Sequence, residues 1–450
     1  MPGAPAPIDL LIEPEWLVPI EPAGVVMTGH SLAVHRGRIL ALLPADEALR
    51  RYAPREHQRL PGQILIPGLV NLHTHAAMTL LRGYADDLPL MRWLQERIWP
   101  AEGRLMSPDF VRDGTLLACW EMLRGGITCF NDMYFFPAAA AEASREAGIR
   151  AVLGVTVVEF PSAYGTDAND YLAKGLAVRD VWRDEPLLSF ALAPHAPYTV
   201  SDRTFERIAT LSAQLDLPIH IHLHETHSEV EESIKQHGMR PVERLQQLGL
   251  LGPNLIAVHG VHLEPREIRC LADNGCALAH CPTSNMKLAS GAAPVTEMLA
   301  AGLRVGLGTD GAASNNRLDI LQEMRHATLL AKTASDDARS FDAHQVLYAA
   351  TLAGAAALGL DGEIGSLVPG KSADLCSIKL DDWLQQPCYD PVSHLIYVAG
   401  REQVDHVWVA GKLRIRHGQP VDIASVKLID IAGSWHNRSS LRRQDRPQAH

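Results

Sequence analysis

From Gln63 onward the chain alternates short apolar or β-branched runs with longer amphipathic stretches. The runs read ILIPGLVNLH, ITCFND, RAVLGVTVV, LLSFALAP, LPIHIHLHE, NLIAVHG, CALAHCP and LRVGLGTD, and SDRTFERIATLSAQL and NNRLDILQEMRHATLLAK are two of the amphipathic stretches. Apolar runs of strand length divided by helical periodicity predict strand–helix units. About eight such units fit between residues 64 and 361, the size of a (β/α)8 TIM-type barrel. A doubly wound open sheet would use fewer strands. One helix boundary is explicit. Ser107 offers an N-cap, Pro108 suits the first helical position, and Gly125-Gly126 ends the helix.

The flanks have a different texture. Residues 8–62 read as short strands cut by Pro and Gly turns, and after Gly359 strands return in GEIGSLVPGKSADLCSI, SHLIYVAG and DHVWVAGKLRIRHG. The expectation is an α/β fold in three parts. The barrel spans residues 64–361, a small β-sandwich domain is assembled from both chain termini (1–63 and 362–430), and a polar C-terminal tail covers 431–450. That tail, rich in Arg and Gln, reads as a surface helix end or a disordered segment.

Composition narrows the class. Hydrophobic residues make up 47% of the 450 and charged residues 21%, average proportions for a soluble globular protein with a sizeable core. The formal net charge of -11 opposes a nucleic acid or an anionic membrane as partner. Seven scattered cysteines are too few for a disulfide scaffold and predict reduced thiols in a cytoplasmic protein. The N-terminal run MPGAPAPIDLLIEPEWLVPIEPAG contains no basic residue, so it lacks the charged region of a signal peptide. No apolar run reaches the roughly 20 residues that span a bilayer.

Histidine is the unusual component, at 21 residues. Random placement gives about one His-x-His pair, a weak signal by itself. This chain has three such pairs, and their positions carry the argument. His73 and His75 end the first barrel strand, where the two-residue period points both rings the same way. His220, His222 and His224 do the same on the fifth strand, followed by Glu225. His195, His259, His280 and Asp310 end the fourth, sixth, seventh and eighth strands. The C-terminal face of such a barrel carries the active site, so these groups converge. Neutral imidazoles with one carboxylate and no cysteine suit Zn2+, with Fe2+ next, and few protein ligands leave room for water. That chemistry is hydrolysis, because a bound divalent ion lowers the pKa of its water to near 7. Glu225, not needed as a ligand, is free to shuttle protons.

Taken together, PGLVNLHTHAAMTLLRG, APHAPYTVS, IHLHET, AVHGVHL, HCPTSNMKLASG, LGTDGAASNN and GEIGSLVPGKSADL resemble the amidohydrolase superfamily. Within it they are similar to the 5-methylthioadenosine/S-adenosylhomocysteine deaminases, nearly end to end. The resemblance implies one divalent ion per subunit, Zn2+ or Fe2+, held by His73, His75, His222 and Asp310, with His259 orienting its water. It selects His222 because the family places that ligand three residues before the glutamate, here Glu225. Dinuclear relatives use a modified lysine at the fourth strand end. LLSFALAPH has none, which favours a single ion.

The implied reaction is deamination at C6 of a purine nucleoside, with Asp310 taking the proton of the attacking water and Glu225 protonating N1. Glu102 would accept from the ribose hydroxyls, Trp93 would wall the 5′ substituent, and His195 would contact the nucleoside. Relatives that take S-adenosylhomocysteine hold its carboxylate with arginines after the third strand. Residues 151–178 contain no arginine and one lysine, Lys174, although Arg179 and Arg183 follow. A charged carboxylate without a bidentate partner is costly to enclose, which favours 5′-methylthioadenosine. The expected partner is thus a small purine nucleoside, with no nucleic acid and no membrane. Self-association into a homo-oligomer stays open.

Competing readings are weaker. GLGTDG at 306–311 matches a dinucleotide-binding glycine pattern, but no acidic residue follows at the required distance and Asp310 would repel a pyrophosphate. A structural zinc site would use cysteine, which is absent from these strand ends. Guanine or s-triazine hydrolases of the same superfamily remain the alternatives.

Overall fold

The computed structural model describes residues 5–444. Eight parallel strands follow one another in sequence order around the barrel: Leu69–Thr74, Ile127–Asp132, Arg150–Val157, Leu188–Pro194, Ile219–Leu223, Leu255–His259, Ala277–His280 and Arg304–Leu307. Nearly every residue in them is buried, as expected for strands covered on both faces, which is why they read as continuous apolar runs rather than alternating ones. The last strand returns to the first just beyond the ladder. The Asp310 N–H donates to the His73 carbonyl at 3.0 Å, and Asn71 exchanges two hydrogen bonds with Thr309, at 2.9 and 2.8 Å.

That closure accounts for the glycine pattern at 306–311. A Cβ on Gly306 would lie 2.6 Å from Leu72 Cδ2, and one on Gly308 would lie 2.8 Å from His73 Cβ. The glycines let the eighth strand approach the first, and no phosphate is needed to explain them.

The helix predicted at Ser107 is found as Pro108–Arg124, with the Ser107 hydroxyl accepting the Phe110 N–H at 3.2 Å and Gly125 as C-cap. The periodicity gave no account of residues 76–105. They form a 3-10 turn, Ala76–Leu81, and then one unbroken helical stretch, Leu90–Trp93, Leu94–Ile98 and Trp99–Leu105, whose middle part has π geometry and which brings Trp93 and Glu102 to the barrel mouth.

Strands from both termini form one nine-stranded mixed sheet. Ala6–Leu17 runs parallel to Tyr52–Pro67, which pairs antiparallel with Leu375–Lys379 and so joins the two ends of the chain. Leu10, Leu32, Leu65, Leu375 and Trp408 share its apolar core. A buried ion pair ties this sheet to the barrel, with Arg150 Nε 3.3 Å from Asp374 Oδ2.

Of the two forms expected for the C-terminal segment, its described residues take the helical one. Ser425–Gln444 is a helix, and Trp435 packs edge-on against Phe110 at 5.3 Å between centroids while its Nε1–H donates to Asp113 at 2.9 Å. Buried Trp435, with the partly buried Leu428 and Ile431, docks a segment whose other residues are mostly polar. The end of the expected tail, 445–450, lies outside the described residues. Among the described residues no helix is long and apolar enough to cross a membrane.

Candidate active site

Four imidazoles at the C-terminal ends of the first, fifth and sixth strands turn the same nitrogen inward. His75 Nδ1 donates to the Met133 carbonyl at 2.6 Å and His222 Nδ1 to the His195 carbonyl at 2.8 Å. Because carbonyls only accept, both rings carry hydrogen on Nδ1, and the lone pair of each neutral ring sits on Nε2. His259 Nδ1 is held by Asn285 Oδ1 at 2.9 Å, and His73 Nδ1 by His220 Nε2 at 2.9 Å.

The inward nitrogens crowd together with a carboxylate. Asp310 Oδ1 lies 3.3 Å from His73 Nε2 and 3.2 Å from His75 Nε2, and His222 Nε2 lies 3.3 Å from His73 Nε2. Donor atoms of His73, His75 and Asp310, and separately of His73, His222 and His259, fall within 4.8 Å of one another. Ser284 and Ser314 donate to Asp310 Oδ2 at 2.6 and 2.9 Å, so Oδ1 is the oxygen left facing the imidazoles. Lone pairs converging on one point fit a cation.

The electrostatics agree with this. Burial pushes His73 down to about 4 and His222 well below its ordinary value, keeping both rings neutral as ligation requires. Burial raises Asp310, but hydrogen bonds from His73 and His75 overcome it and hold the carboxylate well below its usual range. His75 is lowered by burial yet raised overall to about 9 by Asp310, a proton that a cation between them would replace. Glu225 goes the other way, raised chiefly by burial. His224, His259 and Asp310 all take positive φ, 55°, 73° and 60°, a cost of order 1–3 kcal/mol each of the kind concentrated at functional sites.

In front of the cluster lies a cavity of about 390 Å3, within the usual range for small-molecule sites. His75, His222, Glu225, His259 and Asp310 line one end, and Trp93, Glu102 and His195 also line the cavity. His73 is fully buried behind them. Glu102 accepts the Tyr134 hydroxyl at 2.6 Å, and burial raises its pKa. Trp93 is oriented by its Nε1–H, which donates to the Ala85 carbonyl at 3.1 Å. Trp99, Phe135 and Phe160 give much of the remaining wall an aromatic lining. No lysine or arginine is among the lining residues. Arg179 pairs with Asp180 at 2.8 Å, and Lys174 with Asp170 at 2.7 Å. His224 and His280, although at strand ends, do not line the cavity.

Several contributors were not visible as such in the sequence. Ser284, Asn285 and Tyr134 act through partners remote in the chain, Ser314 acts on Asp310 four residues before it, and only the TSN triplet after Pro282 hinted at polar density. A second His/Asp group lies in the terminal sheet, where a bulge makes Asp405 the extra residue beside His406, with His417 nearby. Lys379 at 2.8 Å and Gln63 at 2.9 Å already satisfy the Asp405 carboxylate.

Comparison with known proteins agrees with the geometry. The sequence model of the amidohydrolase family matches residues 64–414. The chain is 44% identical over 436 residues to the 5-methylthioadenosine/S-adenosylhomocysteine deaminase of Teredinibacter turnerae, covering 97% of this chain and 99% of the relative. It is 45% identical over 358 residues to the 5′-deoxyadenosine deaminase of Methanothermobacter thermautotrophicus, covering 80% and 83%. A zinc-bound crystal structure of an adenosine deaminase from Xanthomonas campestris superposes with a TM-score of 0.96 at 48% identity, covering 97% of this chain and 100% of that one.

Proposed function

The chain belongs to the amidohydrolase family, and from that premise we propose that it is a zinc-dependent deaminase converting 5′-methylthioadenosine to 5′-methylthioinosine and ammonia. The observation that carries the reading is the junction of two features in one cavity. A cluster of inward Nε2 atoms and Asp310 occupies one end, and among the described residues the lining contains aromatic rings and carboxylates but no lysine or arginine.

His73, His75, His222 and Asp310 would hold a single Zn2+, for which neutral nitrogen donors and one carboxylate are suited; Fe2+ is the alternative. Bound there, the ion supplies Lewis acidity that makes water nucleophilic near neutral pH. The strand Leu188–Pro194 contains no lysine to bridge a second ion.

The chain's own groups do the proton work. Asp310 Oδ1 accepts a proton from the water whose oxygen bonds to C6 of the purine. Glu225, its pKa raised chiefly by burial, gives its proton to N1. His259, anchored through Nδ1 on Asn285, presents the lone pair of Nε2 as an acceptor that orients the attacking water. As the C6–N bond breaks, the proton held by Asp310 leaves with the amine as ammonia, the C6 hydroxyl returns its proton to the Glu225 carboxylate, and C6 becomes a carbonyl. Glu102 accepts from the ribose hydroxyls, Trp93 covers the 5′ group, and His195 flanks the nucleoside.

A neutral methylthio group suits the cation-free wall, whereas an amino-acid carboxylate there would be desolvated without a partner. Ammonia release from metal-analysed protein tests this against 5′-methylthioadenosine, S-adenosylhomocysteine, adenosine and guanine. The expected kcat/KM for methylthioadenosine exceeds that for the homocysteine compound by about tenfold or more, the equivalent of one unpaired buried charge-assisted hydrogen bond. Equal or inverted values overturn the assignment of the 5′ end, and activity on guanine alone overturns the nucleoside reading.

A further inference from the structure

Glu225 has a demanding position. The strand Ile219–Leu223 ends two residues before it and the helix His227–His237 begins two residues after it, yet its carboxylate must return to the cavity. Its carboxylate lies 3.7 Å from His259 Nε2, beyond hydrogen-bond distance, so its backbone must aim it. That backbone is unusual. His224, just before it, holds φ at 55°, a left-handed conformation rare for a residue with a side chain.

A buried carboxylate holds this turn. Glu229 Oε1 accepts the His224 N–H at 2.9 Å and Oε2 accepts the Glu225 N–H at 2.8 Å, with Glu229 only 6% exposed. Thr226 and Glu229 have the spacing of a helix capping box, and the Thr226 hydroxyl accepts the Glu229 N–H at 3.3 Å. In an ordinary capping box the glutamate returns to the N-cap residue's own N–H. Here the Thr226 N–H also faces the carboxylate, but its two oxygens take in addition the two preceding N–H groups, those of the left-handed residue and of the proton donor. Helix capping alone does not require that reach.

We propose that Glu229 is a positioning residue for the reaction, a two-point clamp that fixes the 224–225 backbone and thereby aims the Glu225 carboxylate. The proposal rests on the reading that Glu225 is the proton donor. Neither oxygen of Glu229 faces the cavity; it acts through Glu225 alone.

The test uses full-length, zinc-loaded Glu229→Gln, with Glu229→Ala as the more severe variant. Glutamine keeps one acceptor oxygen and presents an amide N–H2 where the second acceptor was, so one of the two N–H groups loses its partner. Misdirection of a catalytic group by about 1 Å can cost about a hundredfold. We expect kcat on 5′-methylthioadenosine to fall by about tenfold or more in the glutamine variant and further in the alanine variant. KM should stay within about threefold and zinc content should match wild type, because no ligand or nucleoside contact is touched. A crystal structure of Glu229→Gln should show His224 out of the left-handed region and the Glu225 carboxylate displaced from His259. Wild-type kcat, a loss of kcat that tracks loss of zinc, or an unmoved Glu225 overturns the proposal. If wild-type protein deaminates none of the nucleosides, the functional reading falls, and the position of Glu225 in the variant structure alone decides the clamp.

Discussion

An imidazole can ligate a metal only through a nitrogen free of hydrogen, so what binds Nδ1 decides what Nε2 can do. Here His75, His222 and His259 rest on Met133, His195 and Asn285, and His73 rests on a fellow histidine, His220. Glu225 has no such anchor and is raised by burial, which suits a donor of protons rather than a ligand. Glu225→Gln should therefore lower turnover by roughly a thousandfold, within the range for loss of a general acid, while zinc content by elemental analysis stays at the wild-type level. Loss of zinc in that variant would instead make Glu225 a ligand. The candidate ligands were legible because His73 and His75, or His222 and Glu225, lie on one strand end with fixed spacing. Their anchors were not. His220 and His73 are 147 residues apart and Met133 and His75 are 58 apart, and no local pattern encodes such a contact.

Elements with strong local grammar were readable. Ser107-Pro108 and Gly125 bound a helix because cap and turn chemistry act within a few residues. Barrel strands were readable because burial on both faces leaves an uninterrupted apolar run. The stretch from Ala76 to Leu105 escaped because Ala76–Leu81 is a short 3-10 turn and the π segment Leu94–Ile98 shifts the side-chain register inside the helix that follows, so no single 3.6-residue period runs through it. The helix Ser425–Gln444 was legible only as one of two alternatives, because its docking rests on a few apolar side chains, Trp435 with the partly buried Leu428 and Ile431, among polar neighbours. Trp435→Ala removes a largely buried indole, its edge contact with Phe110 and its hydrogen bond to Asp113. The expected loss is about 3 kcal/mol, typical of a large aromatic replaced by alanine. A thermal melt reads it as a lower Tm at unchanged zinc content; an unchanged Tm would mean that the helix contributes nothing to the barrel's stability.

At the scale of the whole molecule, two termini share one sheet and that sheet is locked to the barrel by Arg150 and Asp374. The chain's beginning and end are thereby tied to the third barrel strand, far in sequence from either terminus, which composition could not foretell. The acidic net charge of -11 spoke only against polyanionic partners, whereas the cavity lining speaks to the substrate. One ion serving one proton-transfer pair, in a cavity that no lysine or arginine among the described residues lines, is the central claim. Its most direct test is ammonia release from 5′-methylthioadenosine by metal-stripped protein titrated with Zn2+. Activity should be absent from the stripped protein, rise in proportion to added zinc and level off at one equivalent per chain. No ammonia at any zinc ratio, or a rise that continues to two equivalents, would contradict it.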